Sequence, residues 1–147
     1  MKRKHAVATL FCVAAIGFTW VSPYIAMYRI SMAARSVRMA GLEQQADLAA
    51  VRAGVLQQLQ TGGHGHDAAE LAAMVDTIVS PPGLTALIMR GKEGADGKRH
   101  DFGMAYRSWK QVVLRRSGDQ DVSQFLLQRH GVWDWKLVAV SLPTELL

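Results

Sequence analysis

The chain reads as an α+β domain behind one N-terminal transmembrane helix. Three features of the sequence predict this. A short basic start leads into a long uncharged apolar run. Apolar residues then recur at helical spacing through the first half. The last third alternates apolar and polar residues between turn signals, as strands do. Helices first and strands later imply helices packed on one face of a small antiparallel sheet.

Lys2, Arg3 and Lys4 begin the chain, and Ala6 to Tyr28 carries no formal charge. A helix of that length extends about 35 Å at about 1.5 Å per residue, enough for a hydrocarbon core of about 30 Å. Trp20, Tyr24 and Tyr28 gather at its far end, where amphipathic rings favour the headgroup region, and are read as membrane-interface residues. Pro23 is placed to end or kink the helix there. A cleaved signal peptide competes with an anchor. Its exit would be Trp20-Val21-Ser22-Pro23, which lacks the small-x-small pattern of a cleavage site, so the leader reads as an anchor. The basic tail favours a cytoplasmic N-terminus, although Arg29, Arg35 and Arg38 beyond the anchor oppose it. The expected address is a single pass in the inner (cytoplasmic) membrane, with the C-terminal domain in the periplasm. Residues 1–28 are the leader and anchor, and residues 29–147 the extracytoplasmic domain.

In that domain Tyr24 to Met39 continues as helix, with Gly41 as its stop. Asp47 caps a helix from Leu48 to Leu59, whose stripe is Leu48, Val51, Val55, Leu56 and Leu59. Asp67 caps a third, with Leu71, Met74, Val75 and Ile78 on one face. Pro81, Pro82 and Gly83 break that helix, and Leu84 to Met89 adds a short turn. Gly91 to Asp101 reads as an exposed loop. Met104 to Arg115 forms one strand, Ser117 to Asp121 a turn, and Val122 to Arg129 and Val132 to Leu142 a hairpin about His130-Gly131. In the last strand Val138, Val140 and Leu142 share one face, and Trp135, Leu137 and Ala139 the other.

The totals bound function loosely. The chain has 147 residues, room for one domain, and a formal net charge of +5. Without the three leader cations, 14 basic residues face 12 acidic ones. Arg115-Arg116 and Lys98-Arg99 are diluted by Asp96, Asp101, Asp119 and Asp121, so no nucleic-acid partner is expected. The single cysteine, Cys12, lies in the apolar run, which excludes an intrachain disulfide and a cysteine-ligated zinc site in the domain.

In order along the chain stand Ser22-Pro23-Tyr24, Asp47-Leu48-Ala49-Ala50-Val51-Arg52 and Val79-Ser80-Pro81-Pro82-Gly83-Leu84. Arg129-His130-Gly131, Trp135-Lys136-Leu137-Val138 and Leu142-Pro143 follow. In these pieces and their order the chain resembles the small bacterial proteins of the domain-of-unknown-function 2939 family, from the leader to Pro143. The segment after Asp47 lacks that family's Phe-Pro pair. The resemblance implies an architecture and a membrane address, and no catalytic residue. Its layout is similar to cone-shaped folds of the nuclear-transport-factor-2 type, an analogy of fold alone.

Several side chains stand out as candidates. His64, His66 and Asp67 share a glycine-rich loop, where His-x-His offers two metal ligands without a rigid second shell. A solvated polar loop accounts for them, and no metal or other cofactor is expected. His130, with Asp134 nearby, is explained by its turn. Asp47 is accounted for as a cap, which leaves Arg52 as a candidate partner or ligand contact. Trp109 and Trp135 are further candidates, weighed against packing between strands and helices. No phosphate loop, dinucleotide pattern, nucleophile elbow or paired-cysteine motif is present, so no catalytic residue is assigned. The expected function is a membrane-anchored, non-enzymatic binding or accessory module whose partners are the bilayer and a larger membrane complex. The alternatives are a lipid or small-molecule carrier with an apolar cavity, and a hydrolase or isomerase on a cone-shaped fold.

Overall fold

Helix α1 (Lys2–Arg35) changes character along its length. In the computed structural model, which describes residues 2–63, 67–94, 96–116 and 123–147, its side chains from Lys2 to Val21 are exposed except at Ala15 and Thr19. Ser22, Pro23, Ala26, Met27, Ile30 and Ala34 are then buried. Such positions recur every three or four residues and form one stripe against the domain. The helix has 34 residues and a mean hydropathy of 1.7 in its apolar window, long and apolar enough to cross a membrane. A signal sequence meets the same criterion.

Pro23 lies inside α1 rather than ending it. The helix also passes residue 28 without a break and stops at Arg35, short of Gly41. Val37 sets the stop with a φ of 56°, a left-handed conformation that crowds a β-branched side chain. Gly41 is inside the short helix α2 (Met39–Gln45).

Asp47 caps α3 (Leu48–Thr61) by accepting from the Ala50 amide, and Asp67 caps α4 (Ala68–Ile78) by accepting from the Glu70 amide. The prolines do more than break α4. They open a full helix, α5 (Pro81–Lys92), because the first helical positions need no amide donor. Ser80 caps it through the Gly83 amide. Gly83 is required by space, since a Cβ there would overlap the Thr77 and Ile78 carbonyls. Gly91 belongs to the last turn of α5 and is buried, so the expected loop starts later. A Cβ on Gly91 would stand 3.1 Å from the Phe102 ring.

The sheet has four antiparallel strands in the order β1 (Gly103–Ser108), β2 (Gln111–Arg115), β3 (Gln124–Arg129) and β4 (Trp135–Ser141). The single strand expected over Met104 to Arg115 is therefore a hairpin. Trp109 and Lys110 form its turn, with Ser108 paired to Gln111 and a register shift after Tyr106. The turn carries neither Gly nor Asn, which hid it from a reading based on turn residues. The hairpin about His130 is longer than expected, and Trp133 lies in its loop. A second register shift, opposite Leu126 and Leu127, flips the parity of β4. Trp135 and Leu137 before it, and Val140 and Leu142 after it, are all buried, whereas Val138 is not. The expected turn at Ser117 to Asp121 and the histidines His64 and His66 lie outside the described residues.

Core side chains from the sheet include Leu114, Phe125, Leu127, Trp135 and Leu137, which meet Leu42, Val51, Val55 and Leu84 from the helices. Edge strand β4 is covered by α3. The Gln58 amide donates to the Val140 carbonyl at 2.8 Å and accepts from the Leu142 amide at 2.8 Å, so that edge cannot recruit another strand. Val37→Gly relieves the left-handed strain, which outweighs the added freedom of the unfolded chain. A gain of about 1 kcal/mol is expected in urea unfolding of the detergent-solubilised protein. An unchanged midpoint would mean that Val37 is not strained.

Candidate functional site

Two features distinguish the surface: the contact between α1 and the sheet, and a groove between α3 and α4. At the first, Pro23 supplies no amide proton, so the Thr19 carbonyl loses its helical partner. The Ser22 hydroxyl donates to that carbonyl at 2.8 Å. Ser22 Oγ itself accepts from Trp135 Nε1 at 2.7 Å. Ser22 and Trp135 are each 1% exposed, so this bond is dry. Two more aromatic donors reach α1 beside it. Trp133 Nε1 donates to Thr19 Oγ1 at 2.9 Å, and the Tyr106 hydroxyl donates to the Trp20 carbonyl at 3.0 Å. Edge-on ring contacts join Phe18 to Trp133 at 5.4 Å and Trp20 to Tyr106 at 4.8 Å.

Arg129 braces this cluster from behind. Its guanidinium lies over the Trp109 ring at 4.0 Å and the Trp135 ring at 4.3 Å. Its Nε donates to the Trp109 carbonyl at 2.9 Å, and Nη1 donates to the Val132 carbonyl. One cation thus ties the β1–β2 turn to the β3–β4 loop. Burial raises the Tyr106 hydroxyl above its ordinary range, and Arg129 only partly opposes that shift. The neutral phenol is the form that donates to Trp20.

The groove between α3 and α4 has a volume of about 500 Å³. Ala53, Leu56, Leu71, Ala72 and Val75 line it, with Gln60, Arg52 and Asp76 among its polar members. Small side chains leave it open. Arg52 Nη1 is paired with the Asp76 carboxylate across the two helices. Its predicted role as a contact residue thus places it in a groove wall, already engaged.

The remaining candidates are dispersed. Trp20 is 54% exposed, and Tyr24 and Tyr28 are also exposed, on α1. Tyr24 and Tyr28 border a second hollow of about 430 Å³, with Arg35, Lys92 and Phe102 on its other walls. Trp109 is 59% exposed at a turn, whereas Trp135 is a core residue with no surface to offer a ligand. Asp67 is occupied as a cap, and among the described residues no three His, Cys, Asp or Glu side chains gather. The nearest thing to a titratable pair is Asp96 with His100, 3.2 Å apart on an exposed loop. The Lys98 amide first, then His100, holds the Asp96 carboxyl below the usual range. Reading for chemistry missed Ser22, Thr19, Tyr106 and Arg129. The available signal was Ser22-Pro23 itself, a hydroxyl beside the residue that orphans a carbonyl.

No family model, curated protein or solved structure matches the chain.

Ser22→Ala leaves Trp135 Nε1 and the Thr19 carbonyl unpaired in a dry site, and is expected to cost about 2–3 kcal/mol. Trp135→Phe opens a cavity and loses part of the Arg129 stacking in either background, but should cost less in Ser22→Ala than in the native chain, and a double-mutant cycle on urea unfolding reads that difference. Additive losses would break the proposed bond. Tyr106 stabilises the fold fully below its unfolded pKa near about 10, and that contribution is lost as pH rises through the higher folded value. Stability should therefore fall as pH rises from about 10 through the higher folded value in the native chain, and fall less in Tyr106→Phe, as measured by unfolding midpoint against pH.

Proposed function

We propose that the protein is a membrane-anchored, non-enzymatic accessory module that presents the α3–α4 groove to a partner in a larger membrane complex. The observation that carries this is the continuity of α1. No linker separates its exposed apolar half from its buried half, and Ser22, Thr19 and Trp20 bond to the sheet at the junction. An anchor joined in this way fixes the height and orientation of the groove as well as its effective concentration near the bilayer. Lys2, Arg3 and Lys4 favour a cytoplasmic N-terminus and a domain in the periplasm. The kinship to the domain-of-unknown-function 2939 family, and the cone-shaped analogy, belong to the same proposal.

A lipid or small-molecule carrier is the second reading, favoured by the apolar lining of the groove. A cone-fold hydrolase or isomerase would need converging ionisable groups between helices and sheet. That layer holds Phe125, Leu127, Trp135 and Leu137.

Gentle-detergent recovery of the full chain from its native membrane, with intact mass on the product, tests the proposal. The expected result is an uncleaved chain with a stoichiometric partner, and loss of that partner in Ala72→Arg, which places a charge in the groove. Recovery of the chain alone, or of a chain cut near Ser22, would overturn it. Lipid carried by the recovered chain in native mass spectrometry would favour the second reading.

A further inference from the structure

In a four-stranded meander the β1–β2 and β3–β4 connections lie at one end of the sheet and the β2–β3 connection at the other. The two connections that share an end carry Trp109, Val132 and Trp133, which are 59%, 63% and 50% exposed. Exposed side chains of this size at neighbouring tips are unusual in a domain whose other large apolar residues are mostly enclosed. Their position relative to α1 is set by contacts already described. Trp133 meets Phe18 and Thr19, and Tyr106 meets Trp20. A small apolar hollow of about 160 Å³ separates Trp109 from Thr19 and Trp20. The tips therefore stand level with the last exposed apolar turns of the helix.

Length decides what surrounds them. From Ala6 to Trp20 the helix rises about 21 Å, less than the hydrocarbon thickness of about 30 Å. Beyond Val21 one face of it packs on the domain, while Tyr24 and Tyr28 on the other remain exposed. A bilayer that accommodates the basic N-terminus on one side must reach the level of Phe18 to Trp20 on the other. The tips occupy that level. Their composition suits it, since tryptophan favours the headgroup region and cations suit anionic lipid. Arg107 and Lys110 flank the first tip, and both are exposed. Arg129 holds both tips in fixed relation, so they can enter an interface together without ordering loops on arrival.

From this we propose that the paired hairpin tips at Trp109 and Val132–Trp133 are a second membrane contact, seated in the lipid interface beside the anchor. The inference rests on α1 being a retained anchor. It assigns the lipid interface as the occupant because the exposed apolar face of the tips is continuous with that of α1. The sheet then stands upright on the bilayer and the anchor cannot swivel beneath the domain.

The test uses the full chain in nanodiscs of phosphatidylcholine and phosphatidylglycerol. An environment-sensitive fluorophore is placed on native Cys12, or on a single cysteine introduced into the Cys12→Ser chain as Val132→Cys, Lys110→Cys or Thr61→Cys. Thr61 lies at the end of α3, beside the far end of β4. Nitroxide lipids labelled near the headgroup should quench the fluorophore at positions 132 and 110 several-fold more than at 61. Deep nitroxides should quench it at Cys12. Quenching at Cys12 with no excess at 132 and 110 over 61 would overturn the tip contact and leave the anchor standing. No quenching at Cys12 would overturn the anchor and this inference with it.

Discussion

A proline in mid-helix removes one amide proton, and Pro23 does so at the point where α1 passes from exposed to buried. The Thr19 carbonyl left behind has to find a donor at a part-buried position. Ser22 provides it and, with its remaining lone pairs, accepts from Trp135. That single hydroxyl fixes the helix rotation, since only one face of α1 can present Ser22 to the sheet. Rotation in turn sets which of its apolar residues face the core, so Ala26, Met27, Ile30 and Ala34 follow in register. The position of Trp135 then determines where Arg129 can stack, and Arg129 ties the two hairpin tips together.

The same chain of contacts argues against reading the leader as a dispensable tail. A leader removed before Ser22 would take with it Thr19 and the Trp20 carbonyl. The Trp133 indole and the Tyr106 hydroxyl would lose their acceptors, and Tyr106 and Trp133 their ring partners. At such a site water replaces the lost hydrogen bonds readily but does not replace ring contacts. The exposed apolar area near the tips would also increase. Each of these consequences favours a domain whose folding includes the turn of α1 at residues 18–21.

Much of the architecture was legible because it rests on local rules. Asp47 and Asp67 precede their helices with carboxylates able to accept a first-turn amide, and the apolar stripe of α3 follows a period of 3.6. Most of what escaped was non-local, the helix start at Pro81-Pro82 being the local exception. Pro81 and Pro82 read as a break because an isolated proline breaks helices, yet at the first two helical positions they open one. The turn at Trp109-Lys110 is held by Arg129 from another strand, which no local signal could announce. The parity of β4 changes at Val138 through a bulge opposite Leu126 and Leu127, and alternation alone assigns such residues to the wrong face. For the site, the exposed aromatics on α1 could be listed from sequence, but Tyr106, the partner of Trp20, lies 86 residues away by sequence, beyond the reach of any periodicity.

Rigidity also bears on how the α3–α4 groove would be used. A module on a flexible tether searches a volume, and its affinity for a neighbour depends on tether length. Under the proposed anchoring, a module whose anchor is one helix with its core would have no tether, and would sample only lateral diffusion and rotation about the membrane normal. The groove would then be held at one height, and a partner would have to offer its complementary surface at that height. Gln58 closes the β4 edge, which removes strand addition as a route to association on that side. Association through the small-residue walls of α3 and α4 is one route that the helical half of the domain offers. In the proposed complex the Arg52–Asp76 pair, half-exposed across those walls, would serve as a polar mark that aligns a partner rather than as a source of affinity, because an exposed ion pair contributes little on its own.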